Sequence, residues 1–199
     1  EFRKNIPGTE EDPSFWASGI SVVAHMKNPK IAAAHFNTRY IVTSSKSWFG
    51  GGCDLTPAIP EKTETENFHT GLKRTLDLHD QKYYPKFKNE CDEYFYLKHR
   101  KEPRGIGGIF FDYLNNDHFE KDLNLIKDVG QFFANFIISN TNSKKDLTYD
   151  SDDLKKLSHK RSRYVEFNLL HDRGTLFGLK TGGNIDAILM SMPPEAKWE

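Results

Sequence analysis

At 199 residues and 23.0 kDa, with no low-complexity break, the chain is expected to form one domain over residues 1–199 around a single core. Its 28 Lys and Arg balance 28 Asp and Glu, which leaves no global field to draw in nucleic acid or an acidic membrane surface, and no apolar run is long enough for an integral membrane span. Aliphatic content is modest, but 13% aromatics, including 15 Phe, can supply the missing core volume.

In chain order, "GISVVAHMK" predicts a first strand, "AHFNTRYIVTSS" a second and "KSWFGGG" a third. Alternation along the second puts Phe36, Thr38, Tyr40 and Val42 on one face and His35, Asn37 and Arg39 on the other. The glycine run before Cys53 and Asp54 reads either as a kinked strand end or as backbone laid bare for a flat ligand.

Two helices are predicted next. "EKTETENFHTGLKRTLDLHDQ" carries Phe68, Leu72 and Leu76 at helical spacing, and "YPKFKNECDEYFYLKHR" carries Phe87, Cys91 and Phe95, with His99 closing the second helix. "RGIGGIFFDYL" predicts a glycine-rich strand, and "FEKDLNLIKDVGQFFANFIISN" a long helix with Leu123, Ile126, Phe133 and Ile137 inward. "TNSKKDLTYDSDD" reads as a solvated loop and "DLKKLSHKRS" as a helix, followed by two strands, "RYVEFNLL" and "TLFGLKTG", joined at "HDRG". Strands in runs separated by helix pairs predict an α+β fold, a large mostly antiparallel sheet flanked by helices on both faces.

Among the chemistry-bearing residues, Arg39, Arg104, Arg163 and Arg173 stand at strand faces and turns, where planar guanidinium forks would suit a ligand with several carboxylates. For any one of them, pairing with an internal Asp or Glu is the simpler reading. His25, His35, His69 and His99 fall on different elements and lack the spacing of a helix-borne zinc pair. "RGIGGIF" lacks the Lys-Ser/Thr of a phosphate loop and enters a strand, so dinucleotide binding is not expected. Cys53 and Cys91 are too few for a disulfide framework and have no arrangement suited to a thiolate nucleophile, which fits a reducing, cytoplasmic setting. Asp54 and Asp172 remain as carboxylates beside sharp turns, open between an acid/base role and turn or cap duty.

Together, "AHFNTRY", "WFGGGCDLTP", "YPKFKNECDEYFYLKHR", "RGIGGIFFD", "RYVEFNLLHDRGTLFGLKTGG" and "ILMSMPP" resemble the oxygen-dependent coproporphyrinogen III oxidase family, in the same order from Phe15 to Trp198. The resemblance implies oxidative decarboxylation of two propionates of coproporphyrinogen III to vinyl groups, giving protoporphyrinogen IX in haem biosynthesis. Oxygen is then the co-substrate, carbon dioxide and hydrogen peroxide are products, no flavin or nicotinamide takes part, and the enzyme is a homodimer.

Carried over by position, His35 is the implied proton donor, and Ser21, Asn37, Thr38 and Arg39 are substrate contacts. Asp54 and Arg104 hold the tetrapyrrole, Asp172 and Arg173 serve as base and carboxylate anchor, and Gly182, Gly183 and Asn184 form a further contact. His25, His35, His69 and His99 match divalent-metal ligands of bacterial members, while other members need no metal. Asn184 stands where arginine is usual, Ser162 where glycine is, Tyr113 where a second aspartate is, and His171 where an aromatic ring is. Family members extend beyond both ends of this chain, so the domain reads as shortened at each. A non-catalytic tetrapyrrole-binding remnant is the alternative expectation, and a His-metal hydrolase a distant third.

Overall fold

The computed structural model describes residues 6–199. Three strands, β1 (Phe15–Ala24), β2 (Ala33–Thr43) and β3 (Ser47–Thr56), precede helices α1 (Lys62–Asp77) and α2 (Tyr83–Tyr94). A two-residue pair, β4 (Tyr96–Leu97) and β5 (Glu102–Pro103), leads into β6 (Gly107–Leu114), and four helices follow: α3 (Phe119–Lys144), α4 (Ser151–Leu170), α5 (Arg173–Lys180) and α6 (Ile185–Leu189). The main sheet runs β1-β2-β3-β6, antiparallel at every pairing. The α+β expectation therefore holds, with four strands in the main sheet among the described residues.

One sheet face is apolar. Phe36, Phe49, Cys53, Leu55, Ile109 and Phe111 meet Phe68, Leu72 and Leu76 of α1 and Leu125, Val129 and Phe133 of α3 in one buried cluster. Phe36 stacks on Phe133 with ring centroids 5.3 Å apart, an offset arrangement that adds to the area term. On the other face, Phe95, Phe110 and Phe167 form a smaller cluster with Cys91 and Leu97, which seats α4 there. Both cysteines are buried free thiols whose pKa values burial pushes up, as expected of packed groups rather than nucleophiles. No helix among the described residues is long and apolar enough to cross a membrane.

Four local expectations are corrected. "RYVEFNLL" is the second half of α4. Asp150 starts that helix with a reciprocal capping box with Asp153, and Leu157, Tyr164, Phe167 and Asn168 then form its buried stripe. "TLFGLK" lies in α5, capped by Asp172. His99 does not end a helix, because α2 stops at Tyr94 and His99 sits in the turn between β4 and β5, where Lys101 takes φ +57°. The polar loop shrinks to 145–150, since α3 runs on to Lys144.

Glu166 ties this corner together. It accepts a two-point hydrogen bond from Arg100 (2.9 and 2.5 Å), and others from His99 (2.7 Å), Arg163 (3.2 Å) and the Trp198 indole (2.8 Å). Arg100 above all, opposed by burial and aided by His99 and Trp198, holds its carboxyl at about 2. The folded value lies below the ordinary 4.5, so the associated stability is complete above that pH and is lost as pH falls toward 2, amounting to ~2–3 kcal/mol. The urea midpoint of the wild type should therefore fall steeply between pH 5 and 2. Glu166→Gln should start lower and lose much less over the same interval.

Candidate functional site

Opposite the apolar core, the sheet floors a cleft of about 810 Å³, within the range of small-molecule sites. Strand register lays this floor out in rows. His35 pairs with Asp54 and Asp54 with Gly108; Asn37 pairs with Gly52 and Gly52 with Phe110; Arg39 pairs with Gly50. On the β1 side, Val23, Ser21 and Gly19 stand opposite His35, Asn37 and Arg39. The alternation read along β2 thus places His35, Asn37 and Arg39 in the cleft, with Ser21 beside them. Thr38 borders the cleft, but its Cβ belongs to the alternate, helix-covered face, so its backbone is what it can offer.

The glycine run takes its meaning from these rows. A Cβ on Gly50 would lie 2.7–2.8 Å from three guanidinium atoms of Arg39, so the missing side chain is the space in which that guanidinium rests. A Cβ on Gly52 would lie 2.3 Å from the Ile109 carbonyl, and a backbone atom cannot yield as a flexible side chain would. Close approach of neighbouring strands and of an arginine, rather than of a ligand alone, requires these glycines.

Behind the cleft floor lies a buried relay. Asp54 is 2% exposed and Arg104 1%. One carboxylate oxygen of Asp54 takes the Arg104 guanidinium, and the other takes His35 Nδ1 at 2.7 Å. Burial alone would raise the Asp54 carboxyl, but Arg104 and His35 outweigh it and keep the group below its usual range. Arg104 is wrapped in rings, 4.0 Å from the Phe95 centroid and 4.8 Å from those of Tyr164 and Phe167, which compensates part of its desolvation. The ionised carboxylate fixes His35 with its proton on Nδ1, so Nε2, 3.4 Å from the Asn37 amide nitrogen, is the ring atom left for chemistry. Asp54 does not itself line the cleft. It acts through His35.

Asp172 and Arg173 stand at the opposite rim, where α5 begins. Asp172 caps that helix, accepting from the Thr175 N–H at 2.7 Å and from the Tyr94 hydroxyl at 3.0 Å, so both of its oxygens are engaged. The Arg173 guanidinium lies 5.0 Å from the Tyr94 ring centre and pairs with Asp112 at 3.5 Å. Arg39 pairs with the same Asp112 oxygen at 2.9 Å. Asp112 closes the "RGIGGIFFD" string, but its two arginine partners are visible only through strand pairing. Gly182, Gly183 and Asn184 fall outside the cleft lining. Gly182 (φ +76°) and the Gly183 N–H, bonded to the Gly178 carbonyl at 2.9 Å, close α5 in a Schellman turn, and the Asn184 side chain caps α6. They position α6, whose Ala187 and Ile188 do line the cleft.

The four histidines implied as metal ligands do not meet. His25 Nε2 bonds to the Ser191 carbonyl at 2.8 Å, and His35 to Asp54. Both ring nitrogens of His69 are taken, by the Ile106 carbonyl and the Tyr84 hydroxyl, and both of His99, by Glu166 and His171. Among the described residues no three His, Cys, Asp or Glu side chains converge on a possible ion. These donors do not fit a shared metal centre, and no step below passes through one.

The sequence model described as Coproporphyrinogen III oxidase matches residues 2–199. The chain is 59% identical over 198 residues to the oxygen-dependent coproporphyrinogen-III oxidase of Rickettsia rickettsii (strain Sheila Smith), covering 100% of this chain and 71% of that protein. It is likewise 59% identical to that of Rickettsia akari (strain Hartford) over the same shares. To the enzyme of Rickettsia bellii (strain OSU 85-389) it is 57% identical over 197 residues, 99% of this chain and 70% of that protein.

Proposed function

The chain belongs to the coproporphyrinogen III oxidase family, and from that premise we propose how its cleft carries out the reaction. It is an oxidoreductase of haem biosynthesis that uses molecular oxygen to turn two propionates of coproporphyrinogen III into vinyl groups, giving protoporphyrinogen IX. For each propionate, one carboxylate leaves as carbon dioxide, one hydrogen leaves the β-carbon, and oxygen takes two electrons and becomes hydrogen peroxide. That balance consumes one proton from outside the substrate per vinyl group formed.

The observation carrying the assignment of roles is the Arg104–Asp54–His35 relay, which ends in an imidazole at a cleft whose rim bears Arg39 and Arg173. His35 supplies the consumed proton through Nε2, Asp54 holds its tautomer and stabilises its charged form, and Arg104 keeps Asp54 ionised. Arg39 and Arg173 take carboxylates of the substrate, whose four propionates match guanidinium forks, while Ser21 and Asn37 offer hydrogen bonds between them. Asp172 serves as the cap that aims Arg173.

Oxygen uptake tests the reading. Coproporphyrinogen III added to this chain should consume two oxygen molecules and release two carbon dioxide molecules per substrate, with a divinyl product. Tight binding without oxygen uptake would support the remnant reading instead.

The same proposal includes a homodimer in the cytoplasm. β1 is an open sheet edge carrying exposed Trp16, Ile20 and Val22, a strip suited to burial against another subunit, and both thiols are free. Sedimentation equilibrium of the same sample reads the mass.

A further inference from the structure

We propose that Asp112 is a resident counter-carboxylate of the cleft: it occupies Arg39 and Arg173 in the empty site, gives up Arg173 to an incoming carboxylate, and takes it back when that carboxylate is lost. The inference rests on the reading of the cleft as a tetracarboxylate site. It assigns a specificity and exchange role to a residue to which the motif containing it gave none.

A bulge in the sheet creates the arrangement. Between β3 and β6 the register shifts, so that Phe49 pairs with Leu114 while Gly51 pairs with Phe111. Tyr113 absorbs the extra residue at φ +57°, a left-handed conformation uncommon for a non-glycine side chain. Leu114 thereby returns to the apolar core, and Asp112 is left on the cleft side, across the bare backbone of Gly50 from Arg39. Because Gly50 has no side chain, the Arg39 guanidinium lies over it and reaches the Asp112 carboxylate at 2.9 Å.

The two arms of this cluster are unequal. The Arg39 side chain is 29% exposed, that of Asp112 17%, and that of Arg173 58%. Arg173 stands farther from the shared oxygen, at 3.5 Å, lies over the ring faces of Tyr94 and Phe110, and bonds the Tyr94 hydroxyl through its backbone N–H at 3.2 Å. Arg39 is therefore the fixed arm and Arg173 the exchangeable one. An exposed pair of this length is weak enough for a ligand carboxylate to displace. The pair also stands on a boundary, since a second, more open depression of about 850 Å³ shares Tyr94, Phe110, Asp112 and Arg173 with the cleft. Opening it enlarges the space available to a bulky macrocycle.

Chemistry gives the exchange a use. A ring whose propionate has become vinyl no longer pairs with Arg173, and an unpaired guanidinium would favour holding any remaining carboxylate. With Asp112 present the arginine is repaired internally, so the converted group is released and tight binding is reserved for ligands that bring a carboxylate to that point.

Coproporphyrin III, the fully conjugated porphyrin with the same four propionates, is the probe. Its binding to the full chain is read by fluorescence titration at several salt concentrations. Asp112→Asn should bind it about three- to five-fold tighter than wild type, on the scale of one exposed ion pair removed, with a steeper salt dependence because one more positive charge faces the tetraanion. Asp112→Glu should behave as wild type. Asp112→Ser removes the same charge and gives the same gain should the Asn variant fail to fold. In an Arg173→Ala background the gain should vanish. Unchanged or weaker binding by Asp112→Asn and Asp112→Ser, with wild type binding normally, overturns the counter-carboxylate role. Failure of wild type to bind the probe overturns the tetracarboxylate reading itself, and this inference with it.

Discussion

Asp54→Asn lowers kcat for coproporphyrinogen III by ~10²-fold or more while KM changes much less. The scale is that of general acid–base assistance and of orienting the imidazole that provides it. The split between the two constants follows from position: Asp54 is buried behind His35 and is absent from the cleft lining, so its loss should act on the reacting proton rather than on the bound macrocycle. A neutral amide at this point leaves the ring without the anion that orients it and balances the proton it delivers through Nε2. A raised KM with unchanged kcat would instead mean that Asp54 touches substrate, and the relay would be rejected.

That substitution also disturbs the fold, which leads to the second large effect. Removing either member of a buried ion pair leaves the other uncompensated, at a cost of ~3–5 kcal/mol. Arg104→Met should therefore lower the unfolding free energy by that amount, because the ionised Asp54 would retain only His35. Asp54→Asn should cost a similar amount through the stranded guanidinium. The double variant Asp54→Asn with Arg104→Met removes both charges from the space between Phe95, Tyr164 and Phe167, and should regain most of the lost stability without regaining kcat. Urea unfolding of the four proteins gives the coupling energy directly. Additive losses would show that the two residues do not stabilise each other.

Much of the site was legible in the sequence. The period-two alternation of "AHFNTRY" assigned His35, Asn37 and Arg39 to one face, and they do share the cleft. The family motifs drew attention to Asp54, Arg104 and Arg173 as well. What those motifs could not convey was the direction of each contact. Asp54 faces the back of His35, Asp172 is spent on a helix cap, and Gly182 to Asn184 close one helix and open the next. The four histidines of the metal set are not brought together, for a related reason. Residue identity shows a donor, but each of these histidines already has a partner brought in from elsewhere in the chain.

The misread second half of α4 shows the same limit at the level of the fold. "RYVEFNLL" has the residues of a strand, yet Tyr164 and Phe167, one helical turn apart, are needed together around Arg104. That tertiary demand, with the cap at Asp150, overrides a weak local preference.

By itself, then, the sequence determined the properties with a local cause: which side chains share a strand face, where α1 and α3 run, and which strings mark the family. Those follow from backbone periods of 2 and about 3.6 residues, which act over a few residues only. The tertiary structure alone decided which carboxylate each cation meets and why "WFGGG" is glycine-rich. Strand register sets Gly50 beneath the Arg39 guanidinium, and a bulge in β6, far along the chain, turns Asp112 toward it. Pairings between segments so far apart depend on packing of the whole sheet, and no local pattern encodes them.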